Sequence, residues 1–437
     1  MDTKNSQRSE RFDSYLDELA DSIGHLDRHV PLKSYCLGLL LPGDRKSVEP
    51  LAALTDPLHV SAKHQSLLHF VGQAPWSDEA LLRAVRRAVL PEMTLHSSLE
   101  AMVIDDTGMP KKGKHSVGVK NQYCGVLGKN ANCQVAVSVS LANHEASLPA
   151  AYQLYLPEEW ANDELRRQKA GVPKDIQFKT KWALALDLVD KLRFDCPDAA
   201  QLPVLADAGY GDAVGFRDGL TERGLLYAVG VAKNTVVWPP GQQPLPAKSK
   251  VAGTRGRPPK NLQRTADHKP VQALTLAKSL RDDAWQDVSW REGTQGEMTS
   301  RFTALRVRPS HGDTRSDTPR PEEWLLMEWP RDQAEPTKYW LSTLPANTPI
   351  ATLVLVAKLR WRVERDYQEL KDEIGLDHYE GRGWRGFHHH ASLCIAAYGY
   401  LTADRCRLFS PDDGATPQQS KPSIPAGYRP RGAPHPG

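Results

Sequence analysis

The chain has 437 residues, 40% of them hydrophobic and 25% charged, which is ample for a large core and two or three domains. Net charge is only +3, so the protein is no polycation and any nucleic-acid surface must come from local clusters. Six scattered cysteines without a CxxC pair argue against a zinc site or a disulfide framework, and no apolar run is long enough for a membrane span. The cysteine usage fits a reducing cytoplasm best, and the polar N-terminus lacks the apolar stretch of a secretory signal.

Residues 1 to about 10 read as disordered. From Phe12 to His29 apolar residues recur at helical spacing, and Pro31–Leu41, a segment after Ser47, Ala62–Val71 and Ser77–Val89 continue as short helices. This gives an all-helical domain over 12–95, with Arg83, Arg86 and Arg87 as a basic edge suited to DNA. The pattern changes at Ala101-Met102-Val103-Ile104, an apolar strand delivering Asp105-Asp106-Thr107-Gly108 at its end. A lysine-rich loop with Lys111, Lys112 and Lys114 follows, then a strand over Gln134–Ala142. After a helix over Lys179–Leu192, Pro203–Ala206 reads as a buried strand that again ends in an acid, Asp207. Residues 96–231 form the first part of an α/β core. Residues 232–344 are dense in proline, glycine and tryptophan and read as an inserted, mostly β subdomain. Within it, Arg255-Gly256-Arg257-Pro258 is similar to the core of a minor-groove AT-hook, which makes Arg257 a candidate DNA contact. Residues 345–408 complete the core. They open on one long helix, Ile350–Gly375, on which Arg360, Glu364 and Lys371 fall within about 40° of one another. Residues 409–437 have the composition of a disordered tail.

Asp105, Asp207 and Glu364 come from separated segments and have cations beside them. Such carboxylates suit two Mg²⁺ ions about 4 Å apart at a phosphodiester, where one face activates the attacking oxygen and the other stabilises the leaving oxygen. Arg360, Lys371, Lys111, Lys112 and Lys114 are the candidates for gripping the phosphate backbone. Haloacid-dehalogenase-like phosphotransferases place one residue between their two acids, whereas Asp105 and Asp106 are adjacent.

The runs VIDDTGMPKKGKHSVGVKNQYCGVLGKNANCQVAVSV, LPEEW, ADAGYG and RWRVERDYQELKDEIGLDHYEGRGWRGFHHH closely resemble bacterial insertion-sequence transposases of the DDE type, over roughly Phe12 to Leu401. The resemblance implies an RNase H-like core with a β insertion before the catalytic Glu. It implies Asp105, Asp207 and Glu364 as the metal-binding triad, holding two Mg²⁺ ions that Mn²⁺ can replace. Asp105 rather than Asp106 aligns with the first acid of the family's D-[D/E]-T-G run. Arg360, Glu364 and Lys371 match the R-x3-E-x6-K part of the family's Y-R-E-K signature, but its tyrosine position is Ala357 here. The implied activity is cleavage at the terminal inverted repeats of a mobile element, followed by joining of the 3′-OH ends to target DNA. The expected assembly is a homodimer on double-stranded DNA, away from any membrane and associated with the nucleoid when acting. The competing reading is a transposase-derived DNA-binding regulator or nuclease that does not transpose.

Overall fold

A computed structural model describes residues 3–248, 260–293 and 296–408. Arg257 and its AT-hook-like neighbours lie outside the described residues, as does the tail from 409 onward. In chain order, five helices come first: α1 Thr3–Ser22, α2 His29–Leu40, α3 Val48–Thr55, α4 Val60–Gly72 and α5 Asp78–Met93. Four strands follow: β1 Ala101–Pro110, β2 Lys120–Cys124, β3 Lys129–Ala142 and β4 Ser147–Leu154. Then come α6 Glu158–Ala161, α7 Glu164–Ala170, α8 Lys181–Asp195, β5 Val204–Ala206, α9 Ala208–Gly211, α10 Val214–Glu222 and β6 Tyr227–Val231. The next stretch holds β7 Val236–Trp238, β8 Val271–Gln272, α11 Ala273–Ser279, β9 Gln286–Gly293, β10 Gly296–Pro309, β11 Glu323–Trp329 and β12 Lys338–Ser342. Helices α12 Ile350–Lys358, α13 Trp361–Asp372 and α14 Trp384–Leu408 end the described chain.

The described residues form two compact units, one from 3–200 with 361–408 and the other from within 201–360. In the first unit β3 is flanked by β2 and β1 and also pairs with β4, all antiparallel. β3 is buried continuously from Cys133 to Ala142, with apolar Val135, Val137, Val139 and Leu141 on one face and polar Gln134, Ser138 and Ser140 on the other. α14 is buried along nearly its whole length because α2, α4 and α5 pack around it. The expected disorder before residue 10 is not observed, since α1 begins at Thr3. Its start is held by tertiary contacts that sequence composition does not reveal: Arg8 and Arg11 pair with buried Asp404, and the Tyr400 hydroxyl donates to the Arg8 carbonyl.

The triple histidine is a packing device. His388 sits between the Trp384 carbonyl and the Leu154 amide, which makes Nδ1 the donor and Nε2 the acceptor. His389 stacks on Trp76 with ring centroids 3.5 Å apart and faces the carbonyls of Val71 and Trp76. His390 links Tyr35 to the Gly375 carbonyl. That carbonyl belongs to the turn closing α13, where Gly375 adopts φ +81° and the Leu376 amide reaches back to the Leu370 carbonyl. A Cβ at Gly375 would stand 2.5 Å from Lys46 Cβ. Gly375→Ala is therefore expected to cost on the order of 2 kcal/mol of folding stability; a chemical-denaturation midpoint equal to wild type would contradict this.

In the second unit the strand order is β5-β6-β12-β11-β10-β7-β8, with β9 on the free part of β10. β5 and β6 pair in parallel. The tryptophan-rich segment thus continues the sheet that starts at β6, through antiparallel β12. Buried Glu323 of β11 lies among Tyr227, Arg217, Arg320 and Arg306; burial pushes its carboxyl up to about 7, against the pull of these neighbours. A proton is thus held more tightly in the folded chain than in the unfolded one. The stability tied to Glu323 is full below about pH 4.5 and is lost as pH rises through about 7. Glu323→Gln removes this dependence, so the variant should gain on wild type by on the order of 2–3 kcal/mol between pH 5 and pH 8. An equal gap at both pH values, read by denaturant unfolding, would contradict the assignment.

Candidate active site

β1 carries the first two acids, but not at its end as the sequence led us to expect. β3 pairs with β1 from Ala101–Ala142 through to Pro110–Cys133, so Asp105 and Asp106 lie in mid-strand. Successive side chains of a strand point to opposite faces, so the two acids face different neighbours. Asp105 is directly opposite Ser138 of β3, and the Ser138 hydroxyl accepts a hydrogen bond from the Tyr367 hydroxyl of α13. Asp106 is opposite Val137, and its carboxylate takes a 2.6 Å bond from Lys181 at the start of α8. Asp105 is therefore on the α13 face, and Asp106 is paired on the α8 face. Lys181 had no signal in the sequence, being remote from Asp106 in the chain.

α13 is docked on β1 and β3 by two side chains. Tyr367 reaches Ser138, and Lys371 donates to the Gly108 carbonyl at 3.1 Å. Glu364, Tyr367 and Lys371 are spaced i, i+3 and i+7, so Glu364 shares the stripe that faces the sheet. It lies in the first turn of α13, where the helix dipole favours a carboxylate, and it is exposed. Burial lowers the Lys371 ammonium, while Asp377, Cys124 and Asp105 pull it the other way. Burial raises the Tyr367 phenol well above its usual range, with Ser138 opposing and Asp105 adding to the rise. Asp105 is thus within electrostatic reach of two residues on the Glu364 stripe. Tyr367 is a buried anchor and does not stand in for the tyrosine absent at Ala357.

The expected single helix Ile350–Gly375 is two helices. α12 ends at Lys358, Leu359 and Arg360 form a turn, and α13 starts at Trp361. No proline or glycine marks the break. Lys358 is drawn into the second unit by both carboxylate oxygens of Glu328, at 2.8 and 2.7 Å, and lies 4.3 Å from the centre of the Trp290 ring. Tertiary anchoring overrides a sequence that favours continuous helix. Arg360 stands in that turn, so one helix wheel does not fix its bearing relative to Glu364.

Asp207 follows β5 directly, as expected, and caps α9 by accepting the Tyr210 amide at 3.3 Å. The lysine loop is ordered, but its lysines differ in role. Lys111 donates to the carbonyls of Asp377 at 3.2 Å and Tyr379 at 2.8 Å, and burial lowers its ammonium. Lys112 and Lys114 are exposed. The loop beneath them is pinned by Asn132 to the carbonyls of Lys111 and Gly113, and by Arg166 to that of Lys114. Arg166 in turn stacks 3.7 Å over the Trp160 ring. The basic edge foreseen on α5 is engaged in ion pairs: Arg83 and Arg86 with Asp195, and Arg87 with Glu18.

Among the described residues no group of three or more His, Cys, Asp or Glu side chains stands ready-made to hold a metal ion. No described helix is long and apolar enough to cross a membrane. Each of Asp105, Asp207 and Glu364 offers only carboxylate oxygens, the donor chemistry that hard divalent cations prefer.

Two comparisons bear on what this arrangement is. A probable transposase for insertion sequence element IS701, from Microchaete diplosiphon, is 33% identical over 179 residues, which is 40% of this chain and 42% of that protein. The chain thus spans less than half the length of that curated relative. The model of the DDE superfamily endonucleases matches residues 18–297, a span that includes Asp105 and Asp207 and stops before Glu364. With this match the mixed α/β fold takes its RNase H-like assignment, and the chain belongs to the DDE superfamily endonuclease family.

Proposed function

We propose that the protein is the transposase of a bacterial insertion sequence. It cleaves DNA at the terminal inverted repeats of its element and joins the freed 3′-OH ends to target DNA, acting as a homodimer that holds two ends together. The observation that carries the reading is that α13, the helix of Glu364, docks on the Asp105 face of β1.

Asp105, Asp207 and Glu364 would hold two Mg²⁺ ions, with Mn²⁺ able to replace them. When bound, the ions supply activation of the attacking oxygen and stabilisation of the leaving oxygen. The chain's own residues do the positioning. Lys371 balances the charge of Asp105, and its bond to Gly108 holds α13 against the strand. Lys112 and Lys114, presented on a pinned loop, draw in phosphates, with Arg360 and Arg257 as further backbone contacts. Lys111 supports that loop from behind, since its ammonium bonds two carbonyls.

The test is incubation of the full chain with Mg²⁺ and a duplex bearing the inverted repeats that flank its gene. Nicks exposing 3′-OH ends, followed by joined products, are expected. Tight end binding with no cleavage would favour the regulator reading instead.

A further inference from the structure

α13 is tied from a second direction. Asp366 is 4% exposed, and both of its carboxylate oxygens are used. Ser147, the first residue of β4, donates to Oδ2 at 2.5 Å, and Tyr398 of α14 donates to Oδ1 at 2.7 Å. One turn on, Glu369 takes a 2.7 Å bond from Arg405 of α14. Asp366 points about 100° away from Tyr367 and about 160° from Glu364 around the helix. A helix held on one side only, through Tyr367 and Lys371, could roll about that contact. Ties on two sides fix its rotation.

We propose that Asp366 is a positioning residue that sets the roll of α13 and so the direction in which Glu364 and Lys371 are presented. This rests on the reading of Glu364 as a metal-holding carboxylate. A buried carboxylate is costly where a leucine would pack. Its value here is directional: two hydroxyl donors, from a strand and from a helix, converge on one side chain. An apolar residue would keep the packing and lose the bearing. Misaligned supports of a metal ligand typically cost 10- to 100-fold in affinity or rate.

The full-length chain and its Asp366→Ala, Asp366→Asn and Tyr398→Phe variants are compared in three measurements: end-DNA binding, single-turnover cleavage, and Mn²⁺ binding by calorimetry without DNA. Asp366→Ala should cleave about 30-fold more slowly and bind Mn²⁺ about 10-fold more weakly, with end binding within about threefold of wild type. Asp366→Asn should recover to within about fivefold of wild type, because an amide accepts from Tyr398 and donates to the Ser147 oxygen. Tyr398→Phe keeps the core shape, should slow cleavage about fivefold, and decides the matter if Asp366→Ala does not fold. Wild-type cleavage and Mn²⁺ affinity in Asp366→Ala would overturn the proposal, as would Asp366→Asn being as slow as Asp366→Ala or an unaffected Tyr398→Phe. If these hold while Glu364→Gln is inactive, the positioning role alone fails. If Glu364→Gln is fully active, the reading beneath it fails too.

Discussion

Glu364→Gln is expected to lower Mg²⁺-dependent cleavage and joining by about 10³-fold, equivalent to about 4 kcal/mol of transition-state stabilisation, with end binding and fold intact. Glutamine is close to glutamate in helix propensity, and the position is exposed. The structural loss includes the favourable charge at the α13 N-terminus, about 0.3–1 kcal/mol. The catalytic loss should therefore exceed the structural one several-fold. The neutral amide keeps the shape of the side chain and removes the charge that would hold a divalent ion. Single-turnover cleavage at saturating protein reads the effect, and activity within tenfold of wild type would remove Glu364 from the site.

The second large effect separates two adjacent acids. Asp105→Asn should fall by about 10³-fold, whereas Asp106→Asn should stay within about threefold. Asp106 loses a Lys181 pair whose side chains are 33% and 32% exposed. Such a partly screened pair is worth about 0.2–1 kcal/mol of stability. Asp105 faces α13 through the Ser138–Tyr367 contact, so its charge is the one available to the Glu364 side. Cleavage rates of the two variants in parallel check this; the reverse order would make Asp106 the metal-holding acid.

Much of this was legible in the sequence. Helical periodicity placed α2, α4, α5 and α8 to within a few residues. The apolar run before Asp207 is a strand ending at that acid. Other features depend on residues far apart in the chain. β1 runs on past Asp105 because β3 offers partners as far as Cys133, and local polarity misplaced its end. The break at Leu359–Arg360 arises from Lys358 meeting Glu328 and Trp290, which no local pattern encodes. Lys111 reads like its neighbours Lys112 and Lys114, yet it is a support for the loop after α13. The strand's two-residue alternation does separate Asp105 from Asp106, but which face matters emerges only once α13 and α8 are in place.

In the proposed mechanism Asp105, Asp207 and Glu364 hold the divalent ions. Its most direct test is oxidative cleavage of the polypeptide by Fe²⁺ bound in place of Mg²⁺, with ascorbate and peroxide, and mapping of the cut positions by mass spectrometry. Backbone cuts should cluster beside residues 105, 207 and 364, fade as Mg²⁺ is added, and disappear in Glu364→Gln. Cuts that fall elsewhere, or that persist unchanged in that variant, would contradict it.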